Sequence, residues 1–219
     1  MGYAPALWNL WLLSYVTKSL ITGTFGELKN KETKRYFPEK PEYHKTGETF
    51  YGTLDPLLGS DAYADLVYRT EGNKHKDYYP LVILKSYLSD LMYEQIRVEK
   101  GLAYSPVSDY SASRDYGLFY LESDANISEI DEVVSSINEI LETTIKQGVD
   151  EERINSKKNA FILNLKQGYE KNSTFSDYYT LVTDDLREKG TIDNMEEKIE
   201  AVTIEDVNNV LNKYFDKKM

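Results

Sequence analysis

Residues 78–123 read YYPLVILKSYLSDLMYEQIRVEKGLAYSPVSDYSASRDYGLFYLES, and a change of period inside this stretch decides the fold. Tyr79, Val82, Ile83, Tyr87, Leu91 and Ile96 recur at helical spacing, so a helix is expected over 78–98. Gly101 ends it, since glycine alone turns the chain sharply at no steric cost. The segment 103–112 (AYSPVSDYSA) then reads as a strand, with Pro106 marking an edge or a bulge. Residues 114–117 (RDYG) form a turn, and 118–123 (LFYLES) return as a second strand, so 103–123 is expected to be a hairpin.

Outward from this stretch, TFYGTL (49–54) and AYADLVYR (62–69) carry the aromatic and β-branched composition of strands, and the polar run 71–76, which holds His75, is a turn. Downstream the pattern is helical. Asn126 with Glu129 resembles a capping box ahead of an apolar stripe through Ile130, Val133, Ile137, Ile140 and Leu141, closed by Gly148. Asp150 opens another helix with Ile154, Phe161, Ile162 and Leu165 facing inward. A third is expected over 173–189, a short one after Asp193, and a last one capped by Thr203 with Asp206, whose apolar face is Val207, Val210, Leu211, Tyr214 and Phe215. Strands first and helices afterward predict an α+β fold, an antiparallel sheet with helices packed on one face.

The front of the chain differs in texture. Residues 1–17 carry no charged side chain, SLITGT (19–24) has the composition of a strand, and 28–48 are polar with two prolines. The expected division is an apolar segment and linker over 1–42 and a folded domain over 43–219. A secretory signal would start with basic residues, and a membrane span needs about 20 apolar residues. The apolar run therefore reads as protein-covered in preference to a membrane anchor, with 19–24 as a closing strand for this chain's own sheet or for that of a second copy. The compartment is left open, the cytoplasm being favoured over an anchored state.

Composition excludes several classes. The 219 residues are 41% hydrophobic and 29% charged, enough to bury a core without staples. There is no cysteine, hence no disulfide, thiolate zinc site or cysteine nucleophile. The formal charge of −11 repels nucleic acid and attracts basic peptides, although solubility alone also accounts for it. Phosphate-loop, GxGxxG, GxSxG, HExxH and HxxEH motifs are absent, and the two histidines, His44 and His75, lie in polar loops. The 19 tyrosines suit half-buried strand positions, with an apolar ring and a polar tip.

One local pattern stands apart. Arg97 falls in the last turn of the expected helix and Tyr104 at the start of the next strand, with Gly101 between them. Both side chains can project from one helix-to-strand corner. An arginine fork can hold a peptide carbonyl, and a phenol can donate to an oxyanion. A structural explanation competes: arginine near a helix C-terminus answers the helix dipole, and tyrosine at a strand end is ordinary.

The segment IRVEKGLAYS (96–105) resembles the Arg-to-Tyr element in the second half of pitrilysin/insulinase-type zinc peptidases, mitochondrial-processing-peptidase relatives included. That family spaces its arginine and tyrosine seven positions apart, as Arg97 and Tyr104 are here. GLFYL (117–121), GVDEERINSKK (148–158) and VTIEDV (202–207) resemble the family's second hairpin strand, a helix start and the final helix entry, in the same order. The likeness covers roughly residues 45–217. It implies that Arg97 and Tyr104 hold the substrate backbone and stabilise the tetrahedral intermediate formed at the other half. The family's zinc motif, HxxEH with a distant glutamate, has no counterpart here. The resemblance thus implies no metal in this chain and zinc in a partner half, an HxxEH-bearing subunit or second copy, with peptide as substrate. A non-catalytic scaffold or peptide-binding homologue is the alternative. The family also ends its domains on a strand, whereas this chain stops at KYFDKKM (213–219), and SLITGTFG (19–26) is similar to the strand closing the preceding domain.

Overall fold

The computed structural model describes residues 16–20, 22–24, 61–169 and 194–215. The expected strand at 49–54, the polar linker with His44, and the helix at 173–189 lie outside the described residues. The chain divides into two units, Met1–Glu39 and Lys40–Met219. In the first, residues 16–20 and 22–24 are helical, so the expectation of a closing strand over 19–24 is corrected. The threonines that suggested β structure fold their hydroxyls onto the helix instead. Thr22 Oγ1 donates to the Lys18 carbonyl at 2.8 Å and Thr24 Oγ1 to that of Leu20 at 2.5 Å.

The second unit opens with strand β1 (Asp61–Thr70) and helix α1 (Tyr78–Met92), which runs on into a wider π-helical segment, Tyr93–Glu99. Strands β2 (Val107–Ala112) and β3 (Gly117–Asn126) follow, then helices α2 (Ile130–Gln147), α3 (Glu151–Tyr169), α4 (Met195–Glu200) and α5 (Ile204–Phe215). The described strands form one antiparallel sheet in the order β1-β3-β2. Pro106 directly precedes the outer strand β2, where its missing N–H costs no ladder bond. The expected start of β2 at residue 103 is corrected to Val107. The Arg97 guanidinium takes the Tyr104 carbonyl and Asp124 takes the Ser105 N–H, so these backbone groups are withdrawn from any ladder.

Alternation sorts the sheet into two faces. Phe119, Leu121, Ser123 and Ala125 of β3 are buried, and Leu66 and Tyr68 of β1 with Ser108 and Tyr110 of β2 stand beside them in register. The helices pack on this face. Leu81, Leu84, Leu88 and Met92 of α1, Ile137 and Leu141 of α2, and Val207, Leu211 and Phe215 of α5 complete one core. The opposite face carries exposed Tyr63, Val67 and Val107 among Asp65, Asp109 and Glu122. The expected α+β arrangement, an antiparallel sheet with helices on one face, is the observed one.

Polar side chains fix the joints. Ser89 of α1 donates to the Ser108 carbonyl at 3.0 Å and accepts its N–H at 2.9 Å, satisfying backbone groups on the free side of β2. Thr203 and Asp206 form the expected reciprocal cap, at 2.9 and 3.1 Å. The Asn126–Glu129 cap is corrected. The Asn126 carboxamide oxygen accepts instead from the N–H and hydroxyl of Ser128, and α2 begins one turn on, at Ile130.

At the start of α1, the buried Asp77 carboxylate accepts from Lys213 Nζ and the Tyr214 hydroxyl of α5, each at 2.7 Å. Burial pushes this carboxyl up, but the hydrogen bonds from Lys213 and Tyr214 and the nearby positive charge outweigh it and hold the group below the ordinary carboxylate range. A depressed folded-state value means that the link stabilises above the ordinary carboxylate range and is lost as acid protonates the group. The melting temperature of the chain is therefore expected to fall as the pH drops through and below the ordinary carboxylate range. Asp77→Asn should lower stability by about 1–3 kcal/mol at neutral pH and flatten that acid limb. An unchanged acid limb in the Asn variant would mean that other carboxylates carry it.

Candidate functional site

The corner that carries Arg97 is built by a helix that widens before it stops. After Met92 the repeat changes, and the Lys100 N–H reaches the Gln95 carbonyl, five residues back, at 3.2 Å. The Leu102 N–H bonds the Ile96 carbonyl at 3.0 Å across Gly101, whose φ of +66° favours glycine. Ile96 is fully buried and keys this wide turn into the core, while its neighbour Arg97 stands at the surface of the corner.

Arg97 and Tyr104 come together. Arg97 Nη1 donates to the Tyr104 carbonyl at 2.8 Å, and the guanidinium carbon sits 4.4 Å from the centroid of the Tyr104 ring. Tyr104 itself is 71% exposed, so its hydroxyl is open to a ligand. Tyr93, which sequence reasoning passed over, brings a second ring to within 5.1 Å of the guanidinium. Its position four residues before Arg97 is the signal that could have found it.

Four contacts hold the corner to the rest of the fold. The Ser105 N–H donates to Asp124 Oδ1 on β3 at 2.7 Å. Lys100 Nζ donates to Ser136 Oγ of α2 at 2.9 Å. Arg153 of α3 pairs with Glu94 at 2.8 Å, and Lys157 of α3 pairs with Asp90. A site held on rigid elements from several sides keeps its geometry when a ligand arrives.

Around it the electrostatics are acidic. On the outward sheet face Glu122 lies directly across from Asp65, and burial first, then Asp65 and Asp109, raise its carboxyl above the ordinary value. Lys85 Nζ meets Asp109 at 2.7 Å and holds that carboxyl below its ordinary value, burial acting in the opposite sense. Among the described residues no three His, Cys, Asp or Glu side chains converge as metal ligands. His75 sits in its expected turn with Nδ1 accepting the Asp77 N–H at 3.2 Å. Among the described residues no helix is long and apolar enough to cross a membrane.

Comparison with known proteins places these features. A family model described as the peptidase M16 inactive domain matches residues 16–161. The uncharacterized zinc protease YmxG of Bacillus subtilis (strain 168) is 25% identical over 213 residues, which is 94% of this chain and 46% of that protein. The chain thus spans about half the length of this relative. Among solved structures, the periplasmic protease PqqL from Escherichia coli superposes with a TM-score of 0.69 at 15% identity, over 92% of this chain and 23% of that one. A protease from Helicobacter pylori gives 0.68 at 21% identity, over 93% and 50%. The inactive peptidase domain of a putative zinc protease from Bordetella parapertussis gives 0.62 at 12% identity, over 73% and 90%. These likenesses show the shared fold.

Proposed function

Because the chain belongs to the pitrilysin-type M16 peptidase family, on the side of its inactive domain, we propose that it is the substrate-gripping half of a metallopeptidase whose zinc is held by a partner half. The observation that carries this reading is the union of Arg97 and Tyr104 at one exposed, buttressed corner. A peptide lying across that corner meets a guanidinium with further N–H donors beyond the one given to the Tyr104 carbonyl. It also meets a phenol able to donate to a carbonyl oxygen as negative charge develops on it. This chain supplies the holding and the donating. Water activation falls to the partner, an HxxEH-bearing subunit. The chain's net charge of −11 and the acidic sheet face favour a basic peptide as substrate.

A second reading is a scaffold or peptide-binding homologue without turnover. It is favoured by one specific contact, the Arg97 bond to its own chain's Tyr104 carbonyl, which gives the arginine a purely structural task. Co-purification from the native source with zinc analysis of the complex separates the two. A zinc-loaded partner with peptidase activity supports the first reading, and a metal-free, inactive complex supports the second. The isolated 219-residue chain is expected to hold no stoichiometric zinc and to cleave no peptide. Chelator-sensitive cleavage by the chain alone would sink the division of labour proposed here.

A further inference from the structure

Two rings lie within cation–π distance of the Arg97 guanidinium, Tyr104 at 4.4 Å and Tyr93 at 5.1 Å from their centroids. The two rings have different origins. Tyr104 lies beyond the turn at Gly101, whereas Tyr93 begins the π-helical segment on which Arg97 itself rides. Tyr93 is 46% exposed, so filling the core does not account for it. Its neighbours do that work: Met92 and Ile96 are 1% and 0% exposed. The next residue, Glu94, is pinned to Arg153 of α3, which fixes the backbone from which the Tyr93 ring projects. An arginine on a solvated helix end samples many rotamers, and a flanking ring face restricts that sampling through cation–π attraction.

We propose that Tyr93 is a positioning residue of this site, resting on the reading of Arg97 and Tyr104 as the substrate-holding pair. Its ring holds the Arg97 guanidinium against Tyr104, so that the fork is already aimed when a peptide carbonyl arrives. The task belongs to the aromatic face and not to the phenol oxygen. Tyr93→Phe therefore keeps it, and Tyr93→Leu, of comparable apolar character, loses it.

The test is NMR of the full 219-residue chain labelled at arginine and at isoleucine and leucine methyls. In wild type the Arg97 side-chain protons are expected upfield of a free arginine's, displaced by ring currents. Tyr93→Phe retains that displacement, and Tyr93→Leu removes a large part of it while the Ile96 and Leu102 methyl signals stay in place. Arg97 signals unmoved by Tyr93→Leu, or moved equally by Phe and Leu, would overturn the proposal. The chain alone is measured, so this outcome is read independently of turnover. An unaltered rate in a peptidase carrying Tyr104→Phe overturns the functional reading and leaves the Tyr93 measurement standing.

Discussion

Tyr104→Phe is expected, on the proposed division of labour, to lower turnover by the complex with a zinc-bearing partner by about 10²–10³, the usual cost of one lost oxyanion donor. The substitution removes a hydroxyl and nothing else of consequence. Tyr104 is 71% exposed, its ring remains to face the guanidinium of Arg97, and the carbonyl that accepts from Arg97 belongs to the backbone. The folded chain should therefore melt as wild type does. A donor that acts only as charge develops on the substrate oxygen lowers kcat and kcat/KM together, leaving KM in place. Arg97→Lys should behave differently, because a lysine ammonium cannot replace the planar fork that meets both the Tyr104 carbonyl and the two rings. Loss of ground-state holding should raise KM as well as lower kcat. Steady-state kinetics on one peptide with the complex from the native source distinguishes these patterns. Full activity in Tyr104→Phe would reduce the pair to a structural corner and favour the scaffold reading.

The corner was legible in outline because two strong local rules operate there. Helical spacing from Tyr79 to Ile96 and a glycine at 101 fix a helix and a sharp exit whatever the rest of the chain does. The same holds for Thr203 and Asp206, whose side chains are close enough in sequence to satisfy each other's backbone groups. Elsewhere a local signal had a competitor. Asn126 could cap a helix or close its own turn with Ser128, and the nearer partner won. Thr22 and Thr24 have strand propensity but can return their hydroxyls to carbonyls four residues back, and in this chain they do. The π-helical widening at Tyr93–Glu99 leaves almost no mark on residue spacing, since Met92 and Ile96 are four apart as in an ordinary helix. What distinguishes it is a hydrogen-bond pattern, which no residue type encodes. Tyr93 was passed over although its spacing of four from Arg97 makes the two neighbours on any helix, and the Asp124 and Lys100 contacts were not legible because they join residues distant in sequence.

Phe119→Ala is expected to cost about 3–5 kcal/mol, the largest stability loss foreseen for a single core truncation here. Phe119 is fully buried on the central strand, paired in register with Tyr68 on one side and Tyr110 on the other. Its ring meets the Phe215 ring edge-on at 4.9 Å and stacks on that of Tyr110 at 5.9 Å, and Phe215 in turn meets Tyr68 at 4.7 Å. One side chain thus joins all three described strands to the last helix, and removing it opens a cavity that four surrounding elements cannot all close. Phe119→Leu keeps most of the volume and should cost less than about 1.5 kcal/mol. Tyr63→Ala, on the outward face at 69% exposure, should stay within about 0.5 kcal/mol. Denaturant unfolding of the three variants orders them. The loss should also reach the Arg97 corner, because α5 carries the Lys213 and Tyr214 that grip Asp77 at the head of α1, the helix that runs on into the segment bearing Arg97. A Phe119→Ala chain no less stable than Tyr63→Ala would contradict the assignment of the helix-covered face, and with it the sheet register that sets the corner against β3.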